Sequence, residues 1–348
     1  MNVTDQLADL TVARHLLLLR LQANETRKID KLFADIADSI QAQLNSAKPL
    51  TEYQGRRLNA QIKQLTELVN IEPPDLSELA EVEAKSAVSN LAQVGVDATL
   101  PTAATLQQIS SNVIIQGAVI DEWFRQINEN TKFEISRAVK AGIAQGMTNQ
   151  QILKSIVGIK SQGDKGAEVL KTSMRHASTI TRTAVQTIAN EAAYSTYLAN
   201  DDVIKGVEHV STLDSRTTIT CAARDGCAWD LNGKQFKGNP APFMKPPLHF
   251  NCRSILVPVT KTFKELGIDK DEIPQGTRST QYGAVRQSMK FEDFMNRQPK
   301  SFVEDVLGVG RYEIYKDKKL TLNQLLDTRA LKPLTLTELK EKYGDNAQ

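Results

Sequence analysis

The sequence predicts an α+β fold, predominantly α-helical, in which long N-terminal helices accompany a small α+β module that holds all the cysteines. Three observations carry this expectation. Apolar residues recur at helical spacing as far as Leu198. Aromatic residues make up only 5% of the chain, and the apolar share is mostly Ala, Leu, Val and Ile, which suits helices better than an aromatic-rich sandwich. The three cysteines, an odd number, all fall between Cys221 and Cys252, so they point to a local site and not to a disulfide framework.

The helical expectation is built element by element. Ile29, Phe33, Ile36, Ile40 and Leu44 form one stripe, with Lys28, Asp30, Asp35 and Asp38 off it. A break at Ser46-Ala47-Lys48-Pro49 follows. Thr51 and Gln54 then have capping-box spacing, and Leu58, Ile62, Leu65 and Val69 mark a second face. The two form an αα-hairpin, either a docking arm for a partner helix or an ordinary core-facing pair. A third helix is expected from Leu76 to Val94, then a linker over 96–104 with Pro101. Helices resume through Leu106 to Gln145 with Gly146 as a C-cap, and Thr148 with Gln151 restarts the pattern. Gly158–Gly166 reads as a loop, and Glu168–Leu198 as a long helix.

Composition changes near Asn200. Val203–Ser211 and Ser254–Val259 read as strands separated by Gly and Asp turns. Beyond Thr262 the chain is charged and expected to be helical in pieces, one over Met289–Leu307 and another opening at Thr321–Leu326. These breaks suggest four regions: a helical arm over 1–100, a helical core over 101–200, the module over 201–260, and a mostly helical tail over 261–348.

The 348 residues suffice for two domains, or for one core with appendages. A net charge of +2 offers no whole-chain argument for nucleic acid. The most apolar run, Leu16–Leu19, is bracketed by Arg14, His15 and Arg20. It is far short of the ~20 residues of a membrane span and lacks a secretory cleavage pattern. The expectation is an intracellular, unprocessed chain.

Cys221, Cys227, His249 and Cys252 offer the ligand chemistry of a Cys3His zinc site. His249 and Cys252 have ordinary pair spacing, whereas Cys221 and Cys227 need a sharp turn, which Asp225-Gly226 can supply. The plain alternative is three buried small hydrophobes and a histidine satisfied by backbone. The same residues also permit a catalytic reading. His249 with Asn251 resembles the His–Asn element of metal-dependent nucleases, with Asp214 or Asp225 as a further ligand, and a cysteine beside His249 suits a nucleophile pair. Paired carboxylates for two metals are not evident. Arg182, Arg216 and Arg253 suit phosphate contact, or ion pairing with Asp214 or Glu191. There is no phosphate-binding glycine loop and no aromatic-studded basic platform.

Two runs in this block resemble the phage Mu F-like head-morphogenesis family: S-T-L-D-S-R-T-T-I-T-C-A-A-R-D-G-C-A-W (211–229) and P-P-L-H-F-N-C-R-S-I-L-V-P-V (246–259). The family pattern falls on Asp214, Arg216, Thr217, Cys221, Asp225, Gly226, Pro246, Pro247, His249, Asn251, Cys252 and Arg253. T-R-T-A-V-Q-T-I-A-N-E-A-A-Y (181–194) is similar to the family's Arg-Thr helix, and segments at 289–299, 306–311 and 320–325 resemble a branch with minimal tails. Two departures stand out. Thr218 and Ser254 occupy positions where many members have cysteine, which cuts the family's zinc-like quartet to Cys221, His249 and Cys252.

The resemblance implies a virion component and not an enzyme. It implies residence at the portal vertex or capsid interior, and in the host cytoplasm during assembly. The implied partners are the phage portal protein, the major capsid or scaffolding protein and packaged double-stranded DNA, with no membrane. Some members carry C-terminal toxin domains, but the segment after Val259 shows no catalytic constellation. The expected role of Asp214, Arg216, Cys221, Asp225, Gly226, His249, Asn251, Cys252 and Arg253 is a structural clamp, with zinc as the cofactor it would take and Cys227 as a further candidate ligand. The competing classes are a metal-dependent nuclease or toxin-like effector delivered with phage DNA, and a DNA-binding internal head protein.

Overall fold

In the computed structural model the described residues are 3–158, 169–262, 265, 277–280, 283–286, 289–327 and 332–344. In chain order the elements begin with helices α1 (Val3–Ser46), α2 (Gly55–Glu67), α3 (Leu79–Gln93) and α4 (Ala103–Ser111). A small hairpin, β1 (Ile114–Ile115) and β2 (Ala118–Val119), leads into α5 (Ile120–Ala144), α6 (Asn149–Val157) and α7 (Val169–Leu198). Next come β3 (Ile204–Val210), α8 (Ile219–Arg224), β4 (Ala228–Asp230), β5 (Gln235–Lys237) and β6 (Ile255–Thr260). The remainder is β7 (Thr277–Thr280), β8 (Gly283–Arg286), α9 (Phe291–Met295), α10 (Lys300–Leu307), α11 (Val309–Asp317), β9 (Leu326–Asp327), β10 (Lys332–Pro333) and α12 (Leu336–Tyr343). The chain is therefore α+β and mainly helical, as expected. No helix among the described residues is long and apolar enough to cross a membrane.

Two compact units result. One comprises Leu19–Leu76 and Asn112–Val185. Here the stripe Ile29, Phe33, Ile36, Ile40 and Leu44 is buried along α1, as are Ile62 and Leu65 of α2. Phe124, Ile127, Ile135 and Val139 of α5 and Ile152 and Ile156 of α6 add to the buried apolar set. At Gly142 a Cβ would lie 2.5 Å from the Ile152 side chain, so glycine permits the close approach of α5 and α6. Asn149, at the start of α6, accepts from the Leu50 N–H and donates to the carbonyls of Leu44, Ala47 and Lys48. The Leu44 carbonyl belongs to the last turn of α1, where a helix leaves acceptors without partners, and those of Ala47 and Lys48 lie just beyond it.

The second unit comprises Met1–Leu18, Ser77–Ser111 and Gln186–Gln348. Its sheet is antiparallel with order β5-β4-β3-β6. Leu7, Leu91, Tyr197, Ile204, Val207 and Leu256 form one buried cluster, and Ala8, Ile255 and Val257 form another. A larger cluster joins α8 (Ile219, Ala222, Ala223) to the C-terminal helices through Phe291, Phe294, Met295, Phe302, Leu307 and Leu322. At Gly206 a Cβ would sit 2.2 Å from the Trp229 carbonyl, so only glycine lets β3 and β4 pair there.

Several expectations are corrected by local chemistry. The helices expected through Leu106 to Gln145 are separated by a hairpin that was not expected, in which Gln116 (φ +48°) and Gly117 (φ +91°) make a two-residue turn between β1 and β2. Thr51 and Gln54 do not form a capping box. Leu50–Glu52 is a single 3-10 turn and α2 starts after Gln54, whose side chain makes no capping bond. Met289–Leu307 is two helices and not one, since Pro299 stands between them as the N-cap of α10. Thr321 does cap with Gln324, but only a 3-10 turn follows, over Leu322–Leu325. The Thr148–Gln151 capping box is present, and Gly146 ends α5 at φ +68°. The loop expected over Gly158–Gly166 lies, beyond Gly158, outside the described residues.

Candidate functional site

The residues singled out between Ser211 and Val259 are brought together by two turns and one short helix. After β3 the chain turns at Asp214, whose carboxylate accepts from the Arg216 N–H at 3.0 Å. Thr218 then N-caps α8, accepting from the Cys221 N–H at 3.4 Å, and so places Cys221 on the first turn of that helix. On the other side, the turn His249-Phe250-Asn251-Cys252 is closed by the Cys252 N–H on the His249 carbonyl at 3.1 Å. Asn251 occupies its left-handed position at φ +58°, which Asn tolerates better than most residues. Pro246-Pro247, a cis pair, precedes this turn.

Three donor atoms converge where the turn meets α8. The Cys221 sulfur is 3.3 Å from His249 Nε2 and 3.6 Å from the Cys252 sulfur. His249 Nδ1 is hydrogen-bonded to the Phe250 carbonyl at 2.8 Å. Nδ1 therefore donates to that carbonyl, which orients the ring so that Nε2 faces the sulfurs, as a donor in the metal-free protein and as a ligand once a metal takes the place of its proton. Cys252 accepts from the Cys221 thiol and faces the His249 ring, which holds it well below the ordinary thiol range. Cys221, donating to Cys252 and buried, is pushed well above it. Burial alone would lower His249, but its interaction with Cys252 outweighs that and raises it.

This donor set fits a zinc ion. Zn–S bonds of about 2.3 Å and Zn–N bonds of about 2.0–2.1 Å imply tetrahedral edges of about 3.8 Å between sulfurs and about 3.5 Å between sulfur and nitrogen. The observed 3.6 and 3.3 Å lie within a few tenths of an ångström of those edges. Among the described residues, the converging donors are Cys221, His249 and Cys252. Cys227 is not with them. The Asp225-Gly226 turn, with Gly226 at φ +76°, carries it onto the start of β4, where its thiol faces the Asn239 carbonyl at 3.5 Å.

The carboxylates of the block bind other parts of it. Arg253 grips Asp214 with both terminal nitrogens, at 2.5 and 2.7 Å, and the exposed Arg216 lies 3.7 Å from the same carboxylate. Burial would raise the Asp214 carboxyl, but the Arg253 bonds and charge, with the Arg216 N–H, hold it below its ordinary value. Asp225 is buried and accepts from the Ser211 N–H at 2.7 Å and the Phe291 N–H at 2.8 Å, fastening β3 and α9 to the same turn. Glu191 pairs with Lys245.

Other residues that position the site escaped the sequence reading. Gln186 and Asn190 of α7 both donate to the Ser254 carbonyl, at 3.1 and 3.3 Å, and Asn190 also accepts from the Leu256 N–H. No local signal set them apart, since the buried side of α7 also carries Ser178, Thr181, Thr183 and Thr196. Arg224 is fully buried with its guanidinium 5.2 Å from the Trp229 ring, donating to the Pro242 carbonyl, while Trp229 Nε1 donates to the Ala241 carbonyl at 2.9 Å. His15 of α1 lies beside the turn, and burial next to Arg253 lowers it to about 4. It lines a small cavity of about 40 Å³ with Arg14, Glu83, Asn90, Asn190 and Tyr197.

Residues 133–257 match the family model described as Phage Mu protein F like protein. No curated protein and no solved structure gives a significant match. The matched segment takes in α7, the sheet as far as the middle of β6, both turns and all three converging donors.

Proposed function

From the premise that the chain belongs to the Phage Mu protein F like family through residues 133–257, we propose that it is a minor structural protein of a tailed-phage head, bound at the portal vertex. The single observation that carries this reading is that the family match, residues 133–257, takes in all but the last two residues of the hydrogen-bonded Ser211–Val259 block. In this account the block is a clamp that orders turns which a strand-poor region cannot hold by apolar burial alone. Zinc on Cys221, His249 and Cys252 would complete it, adding metal–ligand bonds to the folding free energy. The protein assists head assembly, and the partners proposed for it are the portal protein first, then capsid or scaffolding protein and packaged DNA.

The test is co-expression of the full chain with the portal protein, followed by purification on a portal tag and imaging of the neck region of virions. Stoichiometric co-purification and density at the portal are expected. A portal that purifies alone, from virions without this chain, overturns the proposal. Elemental analysis should find one zinc per chain. Incubation with duplex DNA and Mg²⁺ or Zn²⁺ should leave the DNA intact. Cutting that His249→Ala abolishes would replace the structural reading with an enzymatic one.

A further inference from the structure

We propose that the Cys221–His249–Cys252 centre is a three-ligand zinc site whose fourth position is open and holds an exchangeable small ligand, a water or a small anion. The inference rests on the zinc reading above and goes beyond it, because structural zinc is normally closed by four protein ligands. Three donors converge among the described residues. The remaining cysteine, Cys227, is committed to the Asn239 carbonyl on the far side of the turn.

Two hydroxyls stand beside the three donors, Ser254 against Cys221 and Thr218 against both Cys221 and His249. Thr218 Oγ1 is 3.0 Å from His249 Nε2, the same ring nitrogen that Cys221 faces. A neutral hydroxyl is a poor zinc ligand next to two sulfurs and an imidazole, but it hydrogen-bonds a metal-bound water well. Once the Nε2 lone pair is given to the metal, this hydroxyl loses its present partner and can turn to the fourth ligand.

There is space for that ligand. A cavity of about 10 Å³ is bounded by Thr218, Cys221, His249, Asn251 and Arg253, with Arg216 also lining it. That volume suits about one water-sized group. The Arg216 side chain is 80% exposed, which places its guanidinium at the mouth. Arg216 and Arg253 share the single carboxylate of Asp214, which leaves the mouth positive and favours an anionic occupant.

The experiment loads the full chain with Co²⁺ in place of zinc and records its visible ligand-field bands during titration with azide. A saturable shift of those bands is the expected result. Thr218→Cys should close the site: the thiolate-to-cobalt band rises by about half, as two sulfurs become three, and the azide response disappears. Thr218→Ser should keep the response, and Arg216→Ala should raise the azide concentration at half-shift by about threefold or more. Cobalt uptake with a spectrum that azide does not move overturns the open position and leaves the zinc reading standing. Failure to take up either metal removes both. The wild-type titration decides the matter even where a variant does not fold.

Discussion

The helical unit around Ile40 and the block around Asp225 solve the same problem with opposite chemistry. Along α1 and α5, stripes of Ile, Leu, Phe and Val are buried at helical spacing, and any side chain of similar volume serves almost as well. In the block, short strands and turns depend on Asp214, Asp225, Gln186 and Asn190, each of which addresses named backbone or guanidinium groups. Shape is interchangeable in the first region and chemistry is not in the second. A buried donor left without its acceptor costs far more than a misplaced methyl group.

Asp225 offers the largest test of that contrast. Asp225→Leu leaves the Ser211 and Phe291 N–H groups buried without a partner, and should cost about 4 kcal/mol. Ile40→Leu, at a site equally buried, should cost less than about 1.5 kcal/mol. Urea midpoints of the two variants measure both, and equal losses would break the comparison. Arg253→Met comes next, at about 2–3 kcal/mol, because it strands a largely buried Asp214. The pH profile of that pair has a definite sign. Asp214 is held below its unfolded value, so its contribution is fully present above about pH 4 and is lost as pH falls through the folded value. In Arg253→Met the acid limb due to Asp214 should therefore shrink.

The same contrast explains which parts of the molecule were legible in the sequence. The stripe from Ile29 to Leu44 declares α1 because periodicity is a local property, and the Thr148–Gln151 box declares its own helix start. The Gln116-Gly117 turn was passed over because the flanking strands are two residues each, too short to alternate. Cys221, His249 and Cys252 were readable as donor types, but spacing alone could not say on which side of the Asp225-Gly226 turn Cys227 would fall. The amides that position β6 left almost no trace, since Gln186 and Asn190 reach a backbone more than sixty residues away. Polar specificity of that kind depends on tertiary placement, which no local pattern records.

His15 carries a pH dependence of the opposite kind from Asp214's. It lies on a helix and has no sequence partner, but it is buried beside Arg253, and its folded value of about 4 lies below the unfolded 6.5. The folded state therefore prefers it neutral. Stability is unpenalised above about pH 6.5, falls as pH drops through the window down to about 4, and is level below it, with a total loss of about 3 kcal/mol. The slope lost in His15→Gln isolates this contribution. Urea unfolding at pH 7 and at pH 4.5 measures it, and an unchanged slope would mean that the ring is solvated after all.

The smallest test sets one threonine against another. Thr148 and Thr218 both N-cap a helix, each accepting from the N–H three residues on, Gln151 at 3.3 Å and Cys221 at 3.4 Å. The side-chain cap is the same in both, although Thr148 also has the reciprocal bond with Gln151, and cap loss costs about 1 kcal/mol. Thr148→Ala should lose about that much, because the residue is exposed and, among the described residues, its side chain bonds only within its own cap. Thr218→Ala should lose clearly more, because its hydroxyl also stands 3.0 Å from His249 Nε2 and removing it disturbs the donor group along with the helix start. Adding His249→Ala to each variant makes the difference a coupling energy: near zero with Thr148, and about 1 kcal/mol with Thr218. Equal coupling in both cycles would show that the block is held together no more cooperatively than the helices, and that its density of hydrogen bonds is only a sum of separate caps.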